Sequence, residues 1–95
     1  MSVKILFIGQ RKTINYLAEQ AHKVFKISFE YNHIQSIEEG YRFIQTYIYD
    51  AVIIEARSCK RPCAFIERVR AQKKTVPLIF LNSTSTYSQK KINHI

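Results

Sequence analysis

The sequence predicts an α/β fold in which helices pack on a parallel sheet, and three observations carry that expectation. First, Tyr49–Ser58 contains an unbroken apolar run, Ala51–Ile54, rich in β-branched residues and ending at Glu55. Such a run suits a central strand covered on both faces, which needs no polar alternation. Second, short apolar strands alternate along the chain with amphipathic segments of helical period, the signature of parallel strands joined by right-handed crossovers. Third, only two glycines and two prolines occur in 95 residues, too few for a turn-rich all-β design.

The elements follow in order. Val3–Gly9 is a strand by its branched and aromatic content, closed by Gly9. Ile14, Leu17, Ala18, Ala21 and Val24 then recur at helical spacing, with Arg11, Lys12, Glu19, Gln20 and Lys23 elsewhere on the cylinder. Lys26–Glu30 alternates, with Ile27 and Phe29 facing one way, and reads as a second strand broken by Tyr31-Asn32-His33. The next helix starts at a capping box, Ser36 followed by Glu39, and carries the stripe Ile37, Tyr41, Ile44 and Ile48. Gly40 weakens that helix by about 1 kcal/mol relative to alanine and so marks close packing.

Beyond the central strand, Arg57–Arg61 is a basic loop, and Pro62 suits the first turn of a helix, where its missing N–H costs nothing. Phe65, Ile66 and Val69 form its inner face; Glu67, Arg68, Arg70, Lys73 and Lys74 point outward. Val76–Leu81 is the fourth strand, with a proline acceptable at its start. Asn82–Thr86 is a hydroxyl-rich turn, and Tyr87–Ile95 suits a short helix with sparse apolar residues.

Size and composition fit one soluble domain spanning residues 1–95, with hydrophobic residues at 46% and charged ones at 23%. No apolar run approaches the roughly 20 residues of a membrane helix. The N-terminus reads directly into a strand without a cleavage site. Two cysteines in such a chain point to free thiols in a reducing, cytoplasmic setting. Fifteen Lys/Arg against seven Asp/Glu give a net charge of +8. Residues 1–48 supply +2 (6 basic, 4 acidic) and residues 49–95 supply +6 (9 basic, 3 acidic). A basic C-terminal half is compatible with a solvated surface, nucleic acid, acidic protein or anionic lipid.

The strand Tyr49-Asp50-x-x-Ile53-Ile54, the helix Phe65-Ile66-Glu67-Arg68-Val69-Arg70 and the strand Val76-Pro77-Leu78-Ile79-Phe80-Leu81 together resemble the receiver domain of two-component response regulators. The likeness is one of pattern and spans nearly the whole chain. It implies a three-layer flavodoxin-like sheet of strand order 2-1-3-4, stopping before the family's fifth strand. It also implies a degenerate site. Gly9 and Gln10 stand where receivers hold magnesium with paired acids, and Glu55 stands at the phosphoacceptor aspartate. Asn82, with Ser83 beside it, falls at the switch hydroxyl, and the fifth-strand lysine has no counterpart. Phosphoryl transfer depends on a divalent ion neutralising developing charge. The resemblance therefore implies a pseudo-receiver, not an enzyme, without cofactor or metal. Its role would be regulatory, through binding protein, alone or as the N-terminal domain of a longer regulator.

Other residues offer chemistry of their own. Glu55 either mimics an activated state at a solvated sheet end or pairs with Arg57 or Arg11 for structural reasons. Cys59 and Cys63, flanked by Lys60 and Arg61 near a helix N-terminus, are placed for a lowered thiol pKa and a redox switch. His22, His33 and His94 show no ligand spacing. Arg68, Arg70, Lys73, Lys74, Lys90 and Lys91 form a candidate basic face for nucleic acid, with Tyr87 the one aromatic among them. Finally, an uncharged edge at Val76–Leu81 templates pairing with another chain. Leu78, Phe80 and Tyr87 are the expected contacts of a homodimer, unless a further C-terminal segment covers them.

Overall fold

A computed structural model of the chain describes residues 3–72 and 75–81. Four strands, β1 (Val3–Ile8), β2 (Phe29–Ile34), β3 (Ala51–Glu55) and β4 (Leu78–Leu81), form one parallel sheet in the order β2-β1-β3-β4. Three helices connect them: α1 (Arg11–Phe25), α2 (Ile37–Thr46) and α3 (Pro62–Ala71). A 3₁₀ turn at Ala56–Ser58 precedes α3. The architecture is the flavodoxin-like α/β arrangement. No helix among the described residues is long and apolar enough to cross a membrane.

The strand register sorts side chains onto two faces, because successive residues of a strand point to opposite sides. Leu6, Val52 and Leu78 lie abreast, as do Ile8, Ile54 and Phe80. This face packs against Tyr41 and Ile44 of α2 and Phe65 and Val69 of α3 in one hydrophobic cluster. Tyr41 stacks on Phe65 at 5.1 Å between ring centroids, and Phe80 meets Phe65 edge-on at 6.2 Å. The other face aligns Phe7, Ile53 and Ile79, and α1 lies against its β2 side.

Local chemistry explains the helix boundaries. Ser36 Oγ accepts from the N–H groups of Glu38 (3.1 Å) and Glu39 (3.3 Å), so the capping residue starts α2 where its sequence signature places it. Pro62 occupies the first turn of α3. A Cβ on Gly40 would fall 2.6 Å from Ile8 Cδ1, which is the close packing of α2 on β1 that the glycine permits. Asp50 pins β3 to β1 twice. Its N–H donates to Lys4 O (2.7 Å), and its Oδ2 accepts from Lys4 N–H (2.7 Å).

Four expectations need correction. The second strand is Phe29–Ile34, not Lys26–Glu30. Helix α1 runs to Phe25 and closes with Lys26 in the left-handed region (φ 58°), where Lys26 N–H donates to His22 O and Ile27 N–H to Ala21 O. Lys26 and Ile27 thus belong to the helix terminus, and the segment read as a break, Tyr31-Asn32-His33, carries the strand's alternation. Val24 is 62% exposed and Phe25 beside it 70%, so the last turn of α1 is not packed on the core, and Ile48 is 87% exposed because α2 ends two residues before it. The fourth strand begins at Leu78, with Pro77 O accepting from Val52 N–H just ahead of it.

The C-terminal end of the sheet as candidate functional site

β1 and β3 are neighbours in the sheet, so the loops that follow them, at Gly9–Gln10 and Ala56–Arg61, emerge side by side. Glu55 closes β3 there and is 1% exposed. One carboxylate oxygen accepts from Gln10 N–H (2.6 Å) and the other from Thr13 Oγ1–H (2.9 Å). Gln10 is the N-cap of α1 and has no capping hydrogen bond from its own side chain. The carboxylate therefore serves the helix start from a distance, at the end where negative charge is favourable. Both oxygens of the carboxylate are thus engaged by the start of α1.

The absence of a side chain at Gly9 makes this possible. A Cβ there would sit 2.5 Å from Glu55 Oε1, 2.6 Å from Glu55 Cβ and 2.9 Å from Phe7 Cε2. Gly9 also ties the end of β2 in place. Its N–H donates to Ile34 O (2.9 Å), and its carbonyl accepts from His33 Nε2–H (2.6 Å). A carbonyl can only accept, which assigns the His33 tautomer. The side-chain oxygen of Gln10 is buried without a hydrogen-bond partner.

Thr13 and His33 were not legible as site residues. Threonine three positions after Gln10 is the spacing of an N3 residue, a usable signal. His33 had none, since its role depends on β2 pairing alongside β1.

The other residues that the sequence singles out scatter over the fold. Cys59 is 6% exposed and belongs to the hydrophobic cluster, whereas Cys63 is exposed in the first turn of α3; both are free thiols. Arg68 lies over the Tyr41 ring, 3.8 Å from its centroid, and pairs with Glu38 at 3.6 Å. Arg70 donates from Nη1 to Val76 O (3.0 Å). These two arginines of the expected basic face are thus engaged with the protein's own surface. Lys73, Lys74, Lys90, Lys91, Asn82, Ser83, Tyr87 and His94 lie outside the described residues. Leu78 and Phe80 are directed into the α2–α3 core, and Ile79 is the β4 side chain that stands out, 44% exposed. Among the described residues no group of three His, Cys, Asp or Glu could hold a metal ion.

At the opposite end of the sheet, a cleft of about 360 Å³ opens between the end of α2 and the approach to β4, lined by Ile44, Tyr47, Tyr49, Val76 and Pro77. Tyr49 O–H donates to Asn32 Oδ1 (2.6 Å) beside it. Burial pushes the Tyr49 pKa up, with Tyr47 adding to it, and burial likewise raises that of Tyr41 against the opposing pull of Arg68. No protein-family model matches the chain, and no curated protein matches it.

Proposed function

We propose that this chain is a receiver-like regulatory module that works without phosphorylation, by binding another protein in the cytoplasm. The observation that carries the reading is the state of Glu55. At the end of the central strand, where a receiver presents its acceptor, the carboxylate is buried and both oxygens are taken by Gln10 N–H and Thr13 Oγ1–H. No second acid stands at Gly9 or Gln10 to help recruit a divalent ion. The arrangement supports a scaffold role for the acid.

The test is incubation with a small-molecule phosphodonor and magnesium, followed by intact-mass and peptide mass spectrometry. No adduct is expected; a phosphoryl group on Glu55 overturns the proposal. The partner is a second copy in the first instance, because β4 offers an edge that nothing else pairs among the described residues. Light scattering over a concentration series checks this, with dimer expected and Ile79→Lys shifting it toward monomer. Ile79 is the substitution of choice because Leu78 and Phe80 belong to the core.

A further inference from the structure

The two loops joined by Glu55 carry an unusual charge balance. Arg11 and Lys12 open α1, while Arg57, Lys60 and Arg61 lie between β3 and α3, and all five are exposed. The one acid in these segments is Glu55, which is buried and committed to Gln10 and Thr13. Neither α1 nor α3 has an acidic residue in its first turn. The adjoining helix α2 differs, with Glu38 and Glu39 in its first turn, and Glu38 pairs with Arg68.

Topology puts this cationic cluster at a particular place. β1 and β3 are adjacent, yet the chain leaves them in opposite directions, toward β2 and toward β4, with α1 on one face and α3 on the other. Open α/β sheets bind ligands outside the carboxyl ends of their strands at such a reversal. Receivers fill the position with acids and a cation; here its exposed charge has the opposite sign.

We propose that the sheet end flanked by the β1–α1 and β3–α3 loops binds an oligophosphate anion, two or more linked phosphates, through Arg11, Lys12, Lys60 and Arg61. A single carboxylate would leave most of these charges unused, whereas linked phosphates spread charge over several oxygens. Arginine grips such oxygens in pairs and lysine adds a mobile point charge. The Gln10–Glu55 hydrogen bond ties the start of α1 to the end of β3, which keeps the two cation-bearing loops next to each other. This site is independent of the protein-binding surface at β4.

The test is calorimetric titration of the full chain with sodium tripolyphosphate at low ionic strength. Binding is expected, weakened about tenfold or more in the double variant Lys12→Ala/Arg61→Ala. The double variant Lys23→Ala/Lys26→Ala, at the far end of α1, is expected to stay within about twofold. Saturating tripolyphosphate should also slow alkylation of Cys63, exposed in the first turn of α3. ATP in place of tripolyphosphate should bind at the same residues. No binding, equal losses in the two double variants, or an unchanged Cys63 rate at saturation overturns the proposal. So does binding of an oligothymidylate, whose phosphates are single diesters, in the absence of tripolyphosphate binding.

Discussion

The two faces of the sheet are built by different means. On one, Leu6, Ile8, Val52, Ile54, Leu78 and Phe80 meet Tyr41, Ile44, Phe65 and Val69 in a continuous apolar layer under two helices. On the other, α1 is the one helix among the described residues; Phe7 and Ile14 are fully buried on its β2–β1 side, while Ile79 on β4 remains 44% exposed. The α1 face is fastened by polar contacts as well. Glu55 holds the start of α1, His33 holds Gly9, and Tyr31 O–H reaches Asn15 Oδ1 at 3.5 Å. The difference teaches that apolar packing and polar fastening are divided unevenly between the faces. The apolar face tolerates little change, whereas on the α1 face the β4 side is thinly covered among the described residues.

The largest expected effect tests that division directly. Phe65, 1% exposed and between Tyr41 and Phe80, should lose about 3–5 kcal/mol of stability as Phe65→Ala. Ile79→Ala, on the thinly covered face, should lose less than about 1 kcal/mol. Urea denaturation of both variants measures the contrast. Equal losses would mean that β4 is as well covered on the α1 side as on the other.

Glu55 comes next. Glu55→Gln keeps the shape, and its amide can accept from the Gln10 N–H while donating to Thr13 Oγ1, so what it removes is the negative charge at the start of α1. The expected loss is about 1–2 kcal/mol, and it should persist in a Thr13→Ala background, because the charge acts on the helix terminus and not through the hydroxyl. Chemical denaturation of the two single variants and the double variant gives the coupling.

A third effect belongs to the apolar face alone. Tyr41 and Tyr49 are both held above their ordinary pKa by burial. Their unfolded forms ionise near pH 10 while the folded forms stay neutral, so the unfolded chain binds fewer protons there. The stability that burial gives the neutral phenols is fully present below about pH 10 and is lost as pH rises through the folded values. Thermal unfolding between neutral and strongly alkaline pH should show this fall. Tyr41→Phe and Tyr49→Phe should each flatten it, and variants with the parent's pH slope would contradict the assignment.

How much of this was legible in the sequence follows the same division. The apolar face could be read directly, because Ala51–Ile54, the Tyr41/Ile44 stripe and Phe65/Val69 declare themselves through period and hydrophobicity. The capping box at Ser36 placed a helix start, and Gly40 marked a close approach. The α1 face was harder. Its polar fastenings join residues 16 to 45 positions apart, from Asn15 with Tyr31 to Gln10 with Glu55, and no local pattern announces such pairs. The second strand slipped by three residues at its start because Ile27 and Phe29 look like strand alternation, while the helix end at Lys26 depends on a left-handed backbone that lysine does not advertise.

That helix end supplies the smallest expected effect. Lys26 closes α1 at φ 58°, a conformation in which an L side chain crowds the backbone and glycine does not. It is exposed, so replacing it removes no core packing. Glycine is the residue most often found at such a terminus. Relief of the crowding is partly offset, because glycine also gives the unfolded chain more freedom. The net expectation for Lys26→Gly is a gain of about 0.5–1 kcal/mol, read as a higher midpoint in urea with an unchanged slope. Lys26→Ala, which keeps the Cβ, should bring no such gain. If alanine stabilised the chain as much as glycine, the benefit would come from removing a charge near Lys23, and the left-handed closure that displaces the second strand to Phe29 would lose its support.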